Sequence, residues 1–440
     1  MKPRCRVLFV LAIALLSVSL AAQAAAEGQN DVLKRADAIA ADVAKIRGLK
    51  QKRPIARGVM QKDQVRKRLL KRIDEEYKPA ELAGEELALK RLGLLPPDTD
   101  YKKLIIELLT DQIAGFYDPI EQRLYIAGWQ TKSLGVFNDM LMAHEIDHAL
   151  QDQHFNLRQF MKNGKENSDA AVARQALVEG DGTALMVEYM MRNVNKAPWS
   201  NNAVLDMMKS QMPSSMGDLV DKAPLAVRES LMFPYMQGLV FVVHFRRNHP
   251  WRRIDAIYRK PPLSTEHILH PRKYEVYERP DQITARPIAG LAGYRAIYNN
   301  INGEFGFALL LRQHIGKSSE ASKTKAELAA RGWGGDRLVV YAPPGHRGEL
   351  DSTVAVSYSV WDHAADAMEF FDVLSDGMGS LSAGKASKSS ATHVEYIDSA
   401  KRVFVAERKG DAVVLVVGAP PGTGRAILDQ VWAGWRVRRR

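Results

Sequence analysis

The sequence has almost no cysteine. Of its 440 residues only Cys5 is a cysteine, and it lies ahead of an apolar run at the start of the chain. Disulfides and thiolate chemistry are therefore excluded for everything that follows. A chain of this length must be stabilised by hydrophobic cores, and it is long enough for two or three domains.

Long hydrophobic runs are also missing, because no stretch reaches the 18 apolar residues of a membrane span. The longest run, Val7–Leu20, follows three basic residues and precedes the small residues AAQAAAEG. This pattern predicts a secretory signal peptide over residues 1–26, cleaved after Ala24 or Ala26. Cys5 precedes the run, so it is not a lipid-acceptor cysteine. We expect an extracytoplasmic protein, periplasmic or secreted, with no stable membrane insertion after signal removal.

No basic patch interleaved with aromatic residues is present. The net charge is +11, and it falls to +8 without residues 1–26, which carry three positive charges and no negative one. Because these charges are spread along the chain, we expect no nucleic-acid partner. The oligomeric state stays open.

Hydrophobic periodicity predicts an α+β protein, with helices early in the chain and strands mixed with helices later. The predicted helices cover residues 30–47, 61–77, 81–94, 101–113, 136–152, 169–192 and 225–247. The predicted strands cover residues 53–60, 338–341, 353–360, 393–397, 403–407 and 412–417, with a hairpin at 115–128 and a turn at 409–411. The remaining predictions are an ordered loop at 261–274, a tight turn at 332–337, a mobile loop at 375–390 and a solvated tail at 436–440.

One segment carries the pattern of a metal site. His144, Glu145 and His148 form an HExxH motif inside the predicted helix 136–152. Two histidines four residues apart lie on one helical face and can bind one zinc ion, with the glutamate beside the open coordination position. That helix is apolar on several faces, and a metal compensates for burying such polar side chains.

Two residues compete for the third ligand position that a catalytic zinc ion requires. Glu179 lies on the next predicted helix, where Gly180 and Gly182 would allow close approach to the HExxH helix. His154 has the spacing of the third histidine in metzincins, but Gln151 stands where those enzymes have glycine. We favour Glu179.

Six segments are distinctive: AHEIDHALQDQHF, ALVEGDGTA, GFYDPIEQRLYIAG, PPLSTEHILHPRKY, GWGGDR and WDHAADAMEFF. Together they resemble a family of secreted, largely uncharacterised zinc metallopeptidases of the gluzincin type, within the thermolysin superfamily. The likeness implies His144, His148 and Glu179 as zinc ligands and Glu145 as general base. The chain departs from thermolysin at Thr183, where an aspartate would contact the first histidine, and Asp181 is the other candidate for that contact.

The resemblance implies a zincin-like catalytic domain, helix-rich with a small sheet, over residues 27–285. A smaller α+β domain is predicted over residues 290–440. In the expected mechanism zinc polarises a peptide carbonyl and activates water, and Glu145 moves the proton from that water to the leaving amine. His270 and Tyr235 are candidate donors to the oxyanion.

The sequence therefore predicts a secreted zinc-dependent peptidase that acts on proteins or peptides, and cell-wall peptides are a possible substrate class. The alternative is a non-catalytic extracytoplasmic binding or scaffold protein that retains a structural zinc ion. The natural substrate, the cleavage preference and inhibition by an N-terminal pro-segment stay open.

Overall fold

The computed structural model describes residues 29–127, 137–162, 167–194, 197–211, 217–316 and 319–440. The predicted signal peptide lies outside these residues. No helix within them combines the length and the apolar character needed to cross a membrane.

Helices dominate the first part of the chain, as predicted. They are α1 (Gln29–Arg47), α2 (Lys62–Glu76), α3 (Pro79–Arg91), α4 (Tyr101–Gln112), α5 (Phe137–Phe155), α6 (Leu157–Lys162), α7 (Ser168–Met190), α8 (Ala203–Gln211), α9 (Gly217–Asp221), α10 (Leu225–Arg246), α11 (Arg252–Arg259), α12 (Thr265–Leu269) and α13 (Pro271–Val276). The last two occupy the segment that we predicted as a loop. Ser264 caps α12 and Pro271 opens α13, so that segment carries two short helix starts.

A small sheet joins these helices. Its strands β1 (Ala56–Met60), β2 (Gly115–Asp118) and β3 (Arg123–Ala127) lie in the order β1-β3-β2. β1 runs parallel to β3, and β2 runs antiparallel to it. The predicted hairpin is confirmed: the Asp118 carboxylate accepts hydrogen bonds from the backbone N–H groups of Ile120 and Glu121 in its turn. β2 is left at the edge of the sheet, against α5.

α7 lies at the centre of the helical part and packs against α5, α10 and α1. Its close contact with α10 depends on glycine. A Cβ atom on Gly180 would lie 2.1 Å from the Gly238 carbonyl carbon, and one on Gly238 would lie 2.0 Å from the Ala176 carbonyl oxygen. No side chain fits at either position, so the two helix backbones meet directly.

The second part of the chain is β-rich. Its elements are β4 (Gln282–Thr284), β5 (Arg295–Asn300), α14 (Gly303–Ile315), α15 (Glu320–Ala330), β6 (Trp333–Ala342), β7 (Val354–Trp361), α16 (Ala364–Ser382), β8 (Lys385–Ser390), β9 (His393–Ile397), β10 (Val403–Lys409), β11 (Ala412–Ala419), α17 (Gly424–Gly434) and β12 (Arg436–Arg438). An antiparallel sheet has the order β5-β6-β7-β11-β10-β9-β8, and β12 pairs separately with β4.

Alternating side chains cover both faces of the large sheet. On β11, Val413 and Leu415 join the core formed with α14, α15 and α16, whereas Val414 and Val416 join the core formed with α17. This period of two is the strand pattern expected from the sequence. The α+β class, with a helical part followed by a β-rich part, is confirmed.

Two further local predictions were wrong. Residues 375–382 continue α16, because Leu374, Met378 and Leu381 recur at helical spacing and are buried. Residues 385–390 form β8, which pairs with β9. Residues 333–337 begin β6 instead of forming a tight turn. The C-terminal arginines are exposed, as predicted for a solvated tail, but the tail is also paired: β12 lies beside β4, and Arg439 donates to Asp281.

The predicted domain boundary near residues 285–290 stays a prediction. β4 precedes it and pairs with β12 from the end of the chain. Ala88 and Leu92 from the helical part also pack into a core of the β-rich part. The two parts therefore share an extensive contact.

Candidate metal centre

α5 and α7 bring three predicted ligands together. His144 and His148 lie one turn apart on α5, and Glu179 faces them from the middle of α7. The two histidine Nε2 atoms are 3.0 Å apart, and Glu179 Oε2 lies 3.2 Å from that of His144 and 3.4 Å from that of His148. All three side chains are buried. The three donor atoms thus form a nearly equilateral triangle.

This triangle has the dimensions of a zinc ligand set. Ligand atoms about 2.1 Å from a tetrahedral zinc ion are about 3.4 Å from each other. Burial opposes the charged imidazolium, yet Glu179 raises the pKa of His148 to about 10. Burial likewise opposes the Glu179 carboxylate, but the two histidines lower its pKa. The arrangement therefore favours a positive charge, and two imidazoles with one carboxylate suit Zn²⁺.

Gly182 lets α7 approach the first histidine. A Cβ atom there would lie 2.8 Å from Cε1 and 2.9 Å from Nδ1 of His144. The predicted role of the glycines is thus divided: Gly182 faces the HExxH helix, whereas Gly180 faces α10. Nδ1 of His144 and Oγ1 of Thr183 are buried without hydrogen-bond partners in the described part of the chain.

Gln151 orients the second histidine. Its Oε1 lies 2.9 Å from Nδ1 of His148, and its Nε2 donates to Oδ2 of Asp147 at 2.8 Å. An amide oxygen only accepts, so Nδ1 of His148 carries a proton, and Nε2 is the atom that would bind a metal ion once its own proton is released. The residue that departs from the metzincin pattern therefore has a specific contact here.

We expect Gln151→Leu to weaken zinc binding by about 10- to 100-fold, because the leucine cannot fix the ring orientation or tautomer of His148. Competition with a chromophoric chelator would measure the affinity. Gln153→Leu is the matched control, since Gln153 lies on the same helix and its amide bonds to the backbone of Lys52 and Arg53. Equal zinc affinities of the two variants would contradict this role of Gln151.

A buried arginine pairs with acidic residues of the helices that carry the triangle. Arg47, at the end of α1, donates to both carboxylate oxygens of Asp181 at 2.8 and 2.9 Å and to Asp255 at 2.8 Å. Tyr258 donates its hydroxyl hydrogen to Asp181 at 3.0 Å, and Asp147 lies 3.9 Å from Arg47. Asp181 is thus paired with Arg47 and Tyr258, and we find no contact that makes it the partner of the first histidine.

Glu145 has one anchored oxygen and one free oxygen. Its Oε2 accepts the backbone N–H of Tyr117 on β2 at 2.8 Å. Its Oε1 is buried and has no hydrogen-bond partner among the described residues. Burial raises the pKa of this carboxyl group. The strand edge thus holds the predicted base in one orientation.

The other predicted site residues lie in different places. His154 bonds through Nε2 to the backbone carbonyl of Lys50 at 2.8 Å, and it does not join the triangle. Tyr235 is buried and stacks on His144, with ring centroids 6.2 Å apart, so it lies beside the site. His270 bonds to Glu304 at 2.7 Å instead.

His270 lies near the N-terminal end of α7, away from the metal triangle. Its partner Glu304 follows Gly303, whose hypothetical Cβ would overlap the Asp169 carboxylate. Asp169 precedes Glu179 by ten residues, which is about 15 Å along a helix. The structure therefore gives no contact that supports His270 as an oxyanion donor.

Sequence reasoning missed Arg47, Tyr117 and Gln151. Gln151 follows His148 by three residues and so shares its helical face, which was a usable signal. Arg47 follows Val43 by four on the buried stripe of α1, and an arginine on an apolar stripe also invites a search for acidic partners. Tyr117 contributes only its backbone, so its side chain gave no signal.

A family model described as a domain of unknown function (DUF8575) matches residues 294–428. The match lies in the β-rich part and includes none of the candidate ligands. No curated protein and no solved structure matches the chain. The gluzincin resemblance therefore stays a prediction.

Proposed function

We propose that this chain is a zinc-dependent peptidase of the gluzincin type, with a zincin-like fold in its helical part and an extracytoplasmic location. His144, His148 and Glu179 would hold the zinc ion, and Glu145 would be the general base. One observation carries the proposal: His144, His148 and Glu179 direct their donor atoms to one point, and Glu145, next to His144 in the sequence, has a buried Oε1 without a hydrogen-bond partner among the described residues. This combination is the one that metal-assisted hydrolysis requires.

The chemistry divides between the metal and the chain. Bound zinc supplies a Lewis acid for a peptide carbonyl and lowers the pKa of bound water. Glu145 accepts a proton at Oε1 and passes it to the leaving amine. The N–H of Tyr117 donates to Oε2 and so fixes the orientation of the carboxyl group. Tyr235, beside His144, is the remaining candidate for an oxyanion donor.

The edge of β2 suggests how a peptide would bind. Alternate residues of an antiparallel pair direct both backbone groups to the partner strand. Because the N–H of Ala127 donates to the carbonyl of Ala114, Gly115 and Tyr117 direct theirs away from β3. The N–H of Tyr117 is bound to Glu145, so an extended peptide on that edge would pair with the backbone of Gly115 and the carbonyl of Tyr117, which favours protein or peptide substrates.

The test is zinc content together with cleavage. We expect one zinc ion per chain by elemental analysis and cleavage of an unfolded protein such as casein. We also expect cleavage to stop with 1,10-phenanthroline and to return with added Zn²⁺. Full zinc occupancy without cleavage of casein, a peptide library or peptidoglycan fragments would contradict the proposal and favour a scaffold with a structural metal ion.

A further inference from the structure

A cavity of about 210 Å³ lies between the helical part and the β-rich part. Helices from both parts line it with apolar side chains, among them Leu89 on α3, Ile105 on α4, Val172 on α7, Leu231 on α10 and Leu309 on α14. An apolar cavity of about 150 Å³ already takes up benzene. This cavity is therefore large enough for a short aliphatic ligand.

The charged residues that line the cavity are all acidic. Glu85 and Gln175 line it and are 8% and 9% exposed. The Gln175 amide makes no hydrogen bond with the described residues, and Glu85 accepts only a 3.3 Å hydrogen bond from Tyr101. Asp169 also lines the cavity and is bonded to Thr265. None of the lining residues is a lysine, arginine or histidine.

We propose that this cavity binds a protonated primary aliphatic amine. The alkyl chain would lie against the leucine and isoleucine side chains. The ammonium group would donate hydrogen bonds to the Glu85 carboxylate and to the Gln175 amide oxygen. The Gln175 amide oxygen would gain a hydrogen bond that the described residues do not provide, and Glu85, which accepts only the 3.3 Å hydrogen bond from Tyr101, would gain a counter-charge.

The charge of the wall selects this head group over others. A fatty carboxylate would meet the Glu85 carboxylate without any cation among the lining residues to offset the repulsion. An alcohol would find hydrogen bonds but would leave Glu85 without a counter-charge. Burial raises the pKa of Glu85 to about 7, so at pH 8 this carboxyl group is ionised within an apolar wall. A bound ammonium ion removes that cost.

The ligand touches none of the residues assigned to zinc or to proton transfer. Gln175 lies one helical turn before Glu179 on α7 and faces the cavity. Binding is therefore measurable whether or not the chain is a peptidase.

Isothermal titration of the full chain at pH 8 with octylamine, 1-octanol and sodium octanoate tests the proposal. We expect one octylamine per chain, bound at least tenfold more tightly than octanol, with octanoate weakest. Glu85→Gln keeps an acceptor for Tyr101 but removes the charge. It should weaken octylamine binding at least tenfold and change octanol binding less than twofold.

A second pair of variants tests the location. Val172→Phe fills the cavity and should abolish binding, whereas Val276→Phe, at a position that is 77% exposed, should leave it unchanged. Three results would overturn the proposal: no octylamine binding to the wild-type chain, octanol or octanoate binding as tightly as octylamine, or equal octylamine affinity in Glu85→Gln. If Val172→Phe does not fold, the Glu85→Gln comparison decides alone.

Discussion

Replacing Arg47 with methionine is expected to lower the free energy of unfolding by about 3 to 5 kcal/mol. The guanidinium group is fully buried and is the cation that Asp181 and Asp255 both accept from. Methionine retains much of the volume but removes the charge. It leaves Asp181 and nearby Asp147 as two buried carboxyl groups without their cation. Burial already raises the pKa of Asp147, and Asp181 raises it further, whereas Arg47 lowers it.

Chemical denaturation of the full chain would measure this loss. Lys102→Met is the control, because Lys102 pairs with Asp74 at 2.6 Å on the surface, where both side chains are at least 34% exposed. Such pairs contribute less than about 1 kcal/mol. A loss below that limit in Arg47→Met would show that the buried cluster is held by other contacts.

Arg47 lies at the end of α1, and this helix packs into the helical part. α1 packs against α5 and α7, and Ile39 and Val43 on α1 lie in the same core as Ala143 and Leu177. The loop after α1 bonds to Gln153 on α5. A segment with such contacts belongs to the fold of the helical part. We therefore expect removal of α1 to unfold the site.

Several strands of the large sheet could be predicted from periodicity, because their side chains alternate between two buried faces, whereas β5 and the fully exposed β8 were missed. β7 and β11 alternate between two cores, and the turn at Gly410 between β10 and β11 is where we predicted it. The serine and glycine content of residues 375–390 favoured a loop prediction. It concealed the apolar stripe of Leu374, Met378 and Leu381, which places residues 375–382 in α16.

The candidate site, too, could be predicted from the sequence only in part. His144, Glu145 and His148 share one helix, so their spacing alone placed them together. The Arg47–Asp181 pair joins residues 134 apart in the sequence, and no local pattern specifies such a contact. The sequence made Asp181 a candidate contact of His144, whereas the packing of α1 against α7 pairs it with Arg47 instead.

The general-base assignment predicts the largest change in activity. We expect Glu145→Gln to retain one zinc ion per chain and to lower the rate of peptide hydrolysis by about 10²- to 10⁴-fold. Glutamine keeps the volume and an oxygen that can accept the Tyr117 N–H, but it cannot take up a proton. Zinc content should be unchanged, because Glu145 is not one of the three convergent donors.

Glu179→Gln is the informative comparison. It also replaces a buried carboxylate with an amide of the same shape, but it removes a proposed ligand, so we expect zinc to be lost together with activity. Elemental analysis and a fluorogenic peptide assay on both variants separate the two roles. Wild-type hydrolysis by Glu145→Gln would exclude Glu145 as the base. Zinc loss in that variant would instead make Glu145 a part of the metal site.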